Sequence, residues 1–120
     1  MSEPKVRCYD CDGPSGGKVI CGPCLLLGQL RDRGIIAMRE YRFAKPRRWR
    51  ADLFIKPDWL LEVDGGMWTG GGHSGGKGQI DDMEKNNAAV MMGFRVLHFT
   101  PAQVENGDAV KVVAGAITGE

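Results

Sequence analysis

Two cysteine pairs, Cys8-x2-Cys11 and Cys21-x2-Cys24, stand nine residues apart near the start of the chain and constrain its fold more than any other feature. In a reducing compartment such pairs seldom become disulfides. Two thiolates spaced by two residues on a tight turn can face one ion, and a second such turn completes a tetrahedral Zn²⁺ site. Gly22-Pro23 suits the second turn, and Gly13-Pro14-Ser15-Gly16-Gly17 supplies a loop between short flanking strands. A redox Cys-x-x-Cys is the rival reading, but it does not need two copies. With all four positions filled by Cys, no coordination site stays open for chemistry. Residues 1–24 are therefore expected to be a zinc ribbon or knuckle, acting as a staple or a contact module, and residues 25–120 a separate domain.

Charge sets the next constraint. The 120 residues carry 16 Lys+Arg and 15 Asp+Glu, a net charge of +1 that conceals its distribution. Residues 31–50 hold eight basic side chains, Arg31, Arg33, Arg39, Arg42, Lys45, Arg47, Arg48 and Arg50, against Asp32 and Glu40, for a net +6. Residues 51–110 hold four basic and nine acidic side chains, for a net −5. A basic stretch followed by an acidic one suits a protein that grips phosphates and gathers cations. Two ordinarily solvated surfaces would give the same pattern. No apolar run approaches the roughly 20 residues that span a bilayer. Met1-Ser2-Glu3-Pro4-Lys5 lacks the apolar core of a signal peptide, so an intracellular, cytoplasmic location and no membrane partner are expected.

Patterning predicts a short helix over 25–33 stopped at Gly34, then a strand over 35–43 and a basic turn at Lys45-Pro46-Arg47. Residues 49–55 and 59–64 read as a hairpin joined by Lys56-Pro57-Asp58. Eight of the fourteen residues from Gly65 to Gly78 are glycine, which predicts a long loop. A helix over 79–92 ended by Gly93 follows, then a strand over 95–99. Thr100-Pro101-Ala102-Gln103 has the form of a capping box with proline at the first helical position. The last helix is expected to break near Gly107 and resume at Asp108 with Val110, Val113 and Ile117 inward. Gly71-x4-Gly76-Lys77 imitates a phosphate-binding loop, but Gly78 stands where that motif needs a hydroxyl. Nucleotide binding is thereby disfavoured.

Three carboxylates carry the chemistry. Glu62 and Asp64 share one face of a strand because side chains alternate. Asp52 joins that face opposite Glu62 if residues 56–58 make a three-residue turn; a two-residue turn would pair it with Val63 instead. Three converging carboxylates repel one another unless a cation is present, and hard oxygen ligands suit Mg²⁺ or Mn²⁺. An acidic sheet edge answered by nearby arginines is the alternative.

The runs Arg50-Ala51-Asp52, Leu61-Glu62-Val63-Asp64-Gly65-Gly66 and Gly93-Phe94-Arg95-Val96-Leu97-His98-Phe99 together resemble the PD-(D/E)XK nuclease superfamily. They are similar to small phage and bacterial endonuclease-like domains related to the very-short-patch repair endonucleases. The resemblance spans roughly residues 25–105 and implies an α+β fold. It implies an αβββαβ restriction-endonuclease-like core, a central mixed sheet flanked by helices. Asp52 matches the first metal-binding Asp, with Ala51 in place of the signature proline, and Glu62 matches the second acidic residue. Asp64 stands where the signature has its lysine. In some members that cation comes from the following helix, which makes Lys85 the leading substitute and Lys77 the second. The acidic residue of the first helix has no clear match.

What the resemblance implies is a Mg²⁺- or Mn²⁺-dependent DNA endonuclease, with structure specificity for a junction, branch or nick among its options. Asp52 and Glu62, assisted by Asp64, would hold the ion, Lys85 would position or activate water, and His73 would protonate a leaving oxygen or touch phosphate. Arg42, Lys45, Arg47, Arg48, Arg50 and Lys77 would contact the DNA backbone without reading sequence. Glu40 is either a further ligand or the partner of a nearby arginine, and Trp49 and Trp68 pack rather than stack on bases. A homodimer is compatible with cutting two strands from one small site per chain. The competing classes are a non-catalytic DNA- or junction-binding protein that keeps the fold, and a zinc-ribbon adaptor for a protein partner.

Overall fold

The structure is a computed structural model that describes Cys8, Cys11 and residues 20–64 and 77–119, with the side chains of 77–79 outside that description. Its elements run α1 (Gly22–Asp32), β1 (Met38–Arg42), β2 (Arg50–Ile55), β3 (Trp59–Val63), α2 (Lys77–Met91), β4 (Arg95–Phe99), α3 (Pro101–Glu105) and α4 (Asp108–Thr118). The fold is α+β, a four-stranded mixed sheet in the order β1-β2-β3-β4 flanked by helices. The first three strands are antiparallel neighbours, and β4 joins β3 in parallel. Among the described residues no helix is long and apolar enough to cross a membrane.

The α1 helix begins three residues earlier than the apolar pattern predicts. Pro23 falls in its first turn, where a missing N–H costs nothing, so Cys24 lies inside the helix rather than in a loop before it. At this end α1 lies so close to β3 that a Cβ on Gly22 would stand 2.8 Å from Val63 Cγ1. The β1 strand is shorter than the expected 35–43 because Ile35, Ile36 and Ala37 precede the ladder. Gly93, with φ of 95°, adopts the left-handed conformation that turns the chain from α2 into β4. The capping box forms as its sequence predicts: Thr100 Oγ1 accepts from Gln103 N–H at 3.2 Å, and Gln103 Oε1 accepts from Thr100 N–H at 2.9 Å.

Alternation along the strands divides the interior in two. One face of the sheet packs Leu53, Ile55, Leu61 and Phe99 against Leu26, Leu30, Val104, Val110 and Val113 from α1, α3 and α4. Ile117 is partly buried against the same cluster, as its spacing from Val113 requires. The opposite face carries Phe54, Leu60 and Val96 and packs against Ala89 of α2, with Phe43, Trp49 and Phe94 closing the edge. Trp49 is thus a packing residue: it stacks near Phe43 at 6.5 Å between ring centroids, with the Arg47 guanidinium 4.3 Å over its ring. Leu53 and Leu61 are fully buried at the centre of the first cluster. Leu53→Ala is therefore expected to lower the unfolding free energy by about 2–5 kcal/mol, read from urea denaturation.

Candidate active site

The β2–β3 register decides which polar groups meet. Ile55 pairs with Trp59 and Leu53 with Leu61, so residues 56–58 form a three-residue turn and Asp52 falls opposite Glu62. In the parallel ladder Glu62 pairs with His98. Asp52, Glu62 and His98 thereby form one polar row across three strands, on the face covered by α2. That helix supplies Lys85 and Asn86 above the row. The row borders a cleft of about 770 Å³ that is also lined by Asp64, Phe43 and Met83.

Within the row, Asp52 Oδ2 accepts from Val63 N–H at 2.8 Å, and Asp52 N–H donates to Glu62 Oε2 at 3.3 Å. Lys85 Nζ sits 2.5 Å from the other oxygen of Glu62, whose side chain is 12% exposed. Burial, reinforced by the Asp52 charge, pushes the Glu62 carboxyl up to about 7, although Lys85 pulls the other way. Asp64, expected to share this face, is held by His98: its Oδ2 lies 2.7 Å from His98 Nδ1, while His98 Nε2 lies 3.0 Å from Asn86 Oδ1. The hydrogen bond to Asp64 raises the His98 pKa against the opposing effect of burial. Among the described residues the acidic row thus gathers two carboxylates, with Asp64 drawn aside into a second polar pair.

Of the remaining expected site residues, Arg42, Lys45, Arg47, Arg48 and Arg50 are all exposed, at the β1–β2 connection and the strand ends beside it. The connection abuts the cleft through Phe43. Arg50 pairs with Glu40 at 3.4 Å between exposed groups, so Glu40 is answered by a neighbouring arginine. His73, Trp68 and the Lys77 side chain lie outside the described residues. His98 and Asn86 were not singled out by sequence. His98 is two residues from Val96 and so shares its face toward α2, but no local signal shows which strand it would lie beside.

The four cysteines form a second site at the start of α1. Their sulfurs all lie within 4.8 Å of one another, with Cys8, Cys21 and Cys24 buried and Cys11 exposed. Cys11 Sγ and Cys21 Sγ are 3.8 Å apart, about the edge of a tetrahedron built on metal–sulfur bonds of roughly 2.3 Å. Burial raises the Cys21 and Cys24 thiols above their usual range, and a bound cation would offset the cost of ionising them. The donor set fits a closed metal site that could hold an ion such as zinc.

No family model and no curated protein matches this sequence. The sheet order and flanking helices nevertheless make a fold that a nuclease domain of known structure also has. That structure is the catalytic domain of the homing endonuclease I-Bth0305I, similar at a TM-score of 0.59 and 19% identity, over 78% of this chain and 88% of that one. At that identity the likeness is one of fold.

The raised Glu62 pKa has a signed consequence for the metal-free protein. A carboxyl whose pKa is higher folded than unfolded favours folding below about pH 4.5 and loses that contribution as pH rises through about 7. From about pH 4.5 to about pH 8 in EDTA, wild type should lose on the order of 3 kcal/mol of stability relative to Glu62→Gln. Paired denaturation curves at the two pH values check this, and a pH-independent difference would contradict it.

Proposed function

We propose that the chain is a metal-dependent DNA endonuclease of the PD-(D/E)XK type, stapled by a zinc ion at its four cysteines. The observation that carries this reading is the Asp52–Glu62 pair, brought together by the hairpin register with Lys85 on Glu62, in a cleft of a fold shared with a homing endonuclease catalytic domain. The donor set suits a hard cation: two carboxylates on adjacent strands, one of them kept from ionising freely by burial. Asp52 and Glu62 would hold Mg²⁺ or Mn²⁺, which when bound supplies Lewis-acid polarisation of a phosphodiester and an acidified water.

The chain's own residues do the rest. Val63 N–H holds one oxygen of the Asp52 carboxylate at the edge of the cleft, and the other would be offered to the ion. Lys85, released from Glu62 when that carboxylate takes up another partner, would hold the attacking water or a phosphate oxygen. Asp64 assists only by exchanging His98 for the ion. Arg42, Lys45, Arg47, Arg48 and Arg50 would lay the DNA backbone along the edge of the cleft, and the opposite charges of the two segments then have separate tasks. His73 and Lys77 are proposed as phosphate contacts from the glycine-rich segment.

One observation favours a second reading. Lys85 occupies the place beside Glu62 where a cation would bind, and a lysine that kept that place permanently would leave a DNA- or junction-binding protein without catalysis.

Supercoiled, linear and branched DNA incubated with Mg²⁺, Mn²⁺ or EDTA separates the two. Cleavage is expected with either metal and not with EDTA. Asp52→Asn and Glu62→Gln should each lower it by at least the ~10–100-fold lost on removing a metal's outer-shell partners. Both should keep DNA binding and about one zinc per chain by elemental analysis. Binding without cleavage under every condition would leave the second reading. Full cleavage by both variants would displace the site.

A further inference from the structure

Arg39 belongs by sequence to the basic segment but does not face solvent with the rest of it. It lies on β1 opposite Leu53, on the face of the sheet covered by α1, and is only partly exposed. Its Nε donates to Cys24 Sγ at 3.4 Å, and Nη2 lies 3.7 Å from Cys11 Sγ and 4.0 Å from Cys21 Sγ. The remaining arm of the same guanidinium, Nη1, donates to the backbone carbonyl of Asp52 at 2.9 Å. One rigid planar fork thus touches three of the four cysteines and the residue that begins the acidic row.

The backbone supplies a second, independent sign that Asp52 is held in an unusual way. On β1 the ladder pairs Arg39 with Leu53 and Tyr41 with Ala51, but not Glu40 with Asp52 between them. Glu40 has φ of 53°, in the left-handed region that costs free energy for a residue with a Cβ. The strained residue sits directly opposite Asp52, where regular pairing lapses, and the Arg39 side chain bonds the Asp52 carbonyl there.

We infer that Arg39 is a positioning residue that couples the cysteine cluster to the acidic site, holding the metal-bound thiolates with one side of its guanidinium and the Asp52 backbone with the other. Four thiolates around one divalent cation leave a net charge of −2, and N–H groups directed at the sulfurs compensate part of it. Occupancy of the cluster thereby fixes where Arg39 stands, and Arg39 fixes β2 at Asp52. The zinc module is then part of the acidic site's scaffold rather than an appendage. A lysine cannot replace the fork, because a single ammonium cannot span thiolates and carbonyl together.

This inference rests on the reading of the cysteines as a metal site and of Asp52 as an active-site residue, but its test uses no cleavage. Zinc-loaded wild type, Arg39→Gln and Arg39→Lys are compared by chelator competition for zinc and by amide hydrogen exchange at Asp52 and Val63, the two N–H groups that bind the row's carboxylates. Arg39→Gln should weaken zinc binding about tenfold and speed exchange at both amides about tenfold, with the amides of β4 unchanged. Arg39→Lys keeps the charge, so its zinc affinity should stay within about threefold of wild type while the two amides still exchange about tenfold faster. It settles the matter if Arg39→Gln does not fold. Weaker zinc binding with unaltered amides in Arg39→Gln, or unaltered amides in Arg39→Lys, would overturn the coupling, as would a wild type that binds no zinc. An inactive wild type with these exchange changes would remove the nuclease reading and leave the coupling standing.

Discussion

Repulsion between two half-buried carboxylates organises the rest of this molecule. Asp52 and Glu62 meet because a three-residue turn sets the register of one hairpin, and the sheet gives them little water with which to screen each other. The structure answers with three devices: a backbone N–H on Asp52, the ammonium of Lys85 on Glu62, and a Glu62 carboxyl that holds its proton up to about pH 7. Each lowers the cost of the pair without removing it. A fold stabilised by apolar packing on both sheet faces can carry that cost.

The placement of the pair ties together features that are far apart in sequence. Asp52 lies thirteen positions beyond Arg39, yet one guanidinium bonds both Cys24 Sγ and the Asp52 carbonyl. On the other face, α2 brings Lys85 and Asn86 down onto Glu62 and His98. The net +6 of residues 31–50 is therefore not all available to a phosphate backbone. Arg39 is turned to the thiols and Arg50 is partly answered by Glu40, which leaves Arg42, Lys45, Arg47 and Arg48 exposed at the β1–β2 connection and Arg31 and Arg33 exposed at the end of α1.

Much of this was legible from local signals. The capping box at Thr100, the break at Gly107 and the helix stop at Gly93 each follow from short-range backbone chemistry, and all three appear where the sequence puts them. The sequence left Asp52 opposite either Glu62 or Val63 according to turn length, and the three-residue turn at 56–58 decides for Glu62. The parallel pairing of β3 with β4 depends on a crossover through α2 that no local pattern encodes, so His98 could not be placed beside Glu62 nor Asp64 assigned to it. Arg39 was hidden for a related reason. A basic residue among seven others reads as surface charge until the fold sets a cysteine cluster against it.

The proposed function requires that Asp52 and Glu62 form a cation site. Anomalous diffraction from crystals soaked in Mn²⁺ tests it most directly. A peak is expected about 2 Å from a carboxylate oxygen of each residue, with the Lys85 ammonium moved off Glu62. Saturating Mn²⁺ with no peak at the row, and Lys85 still seated on Glu62, would contradict it.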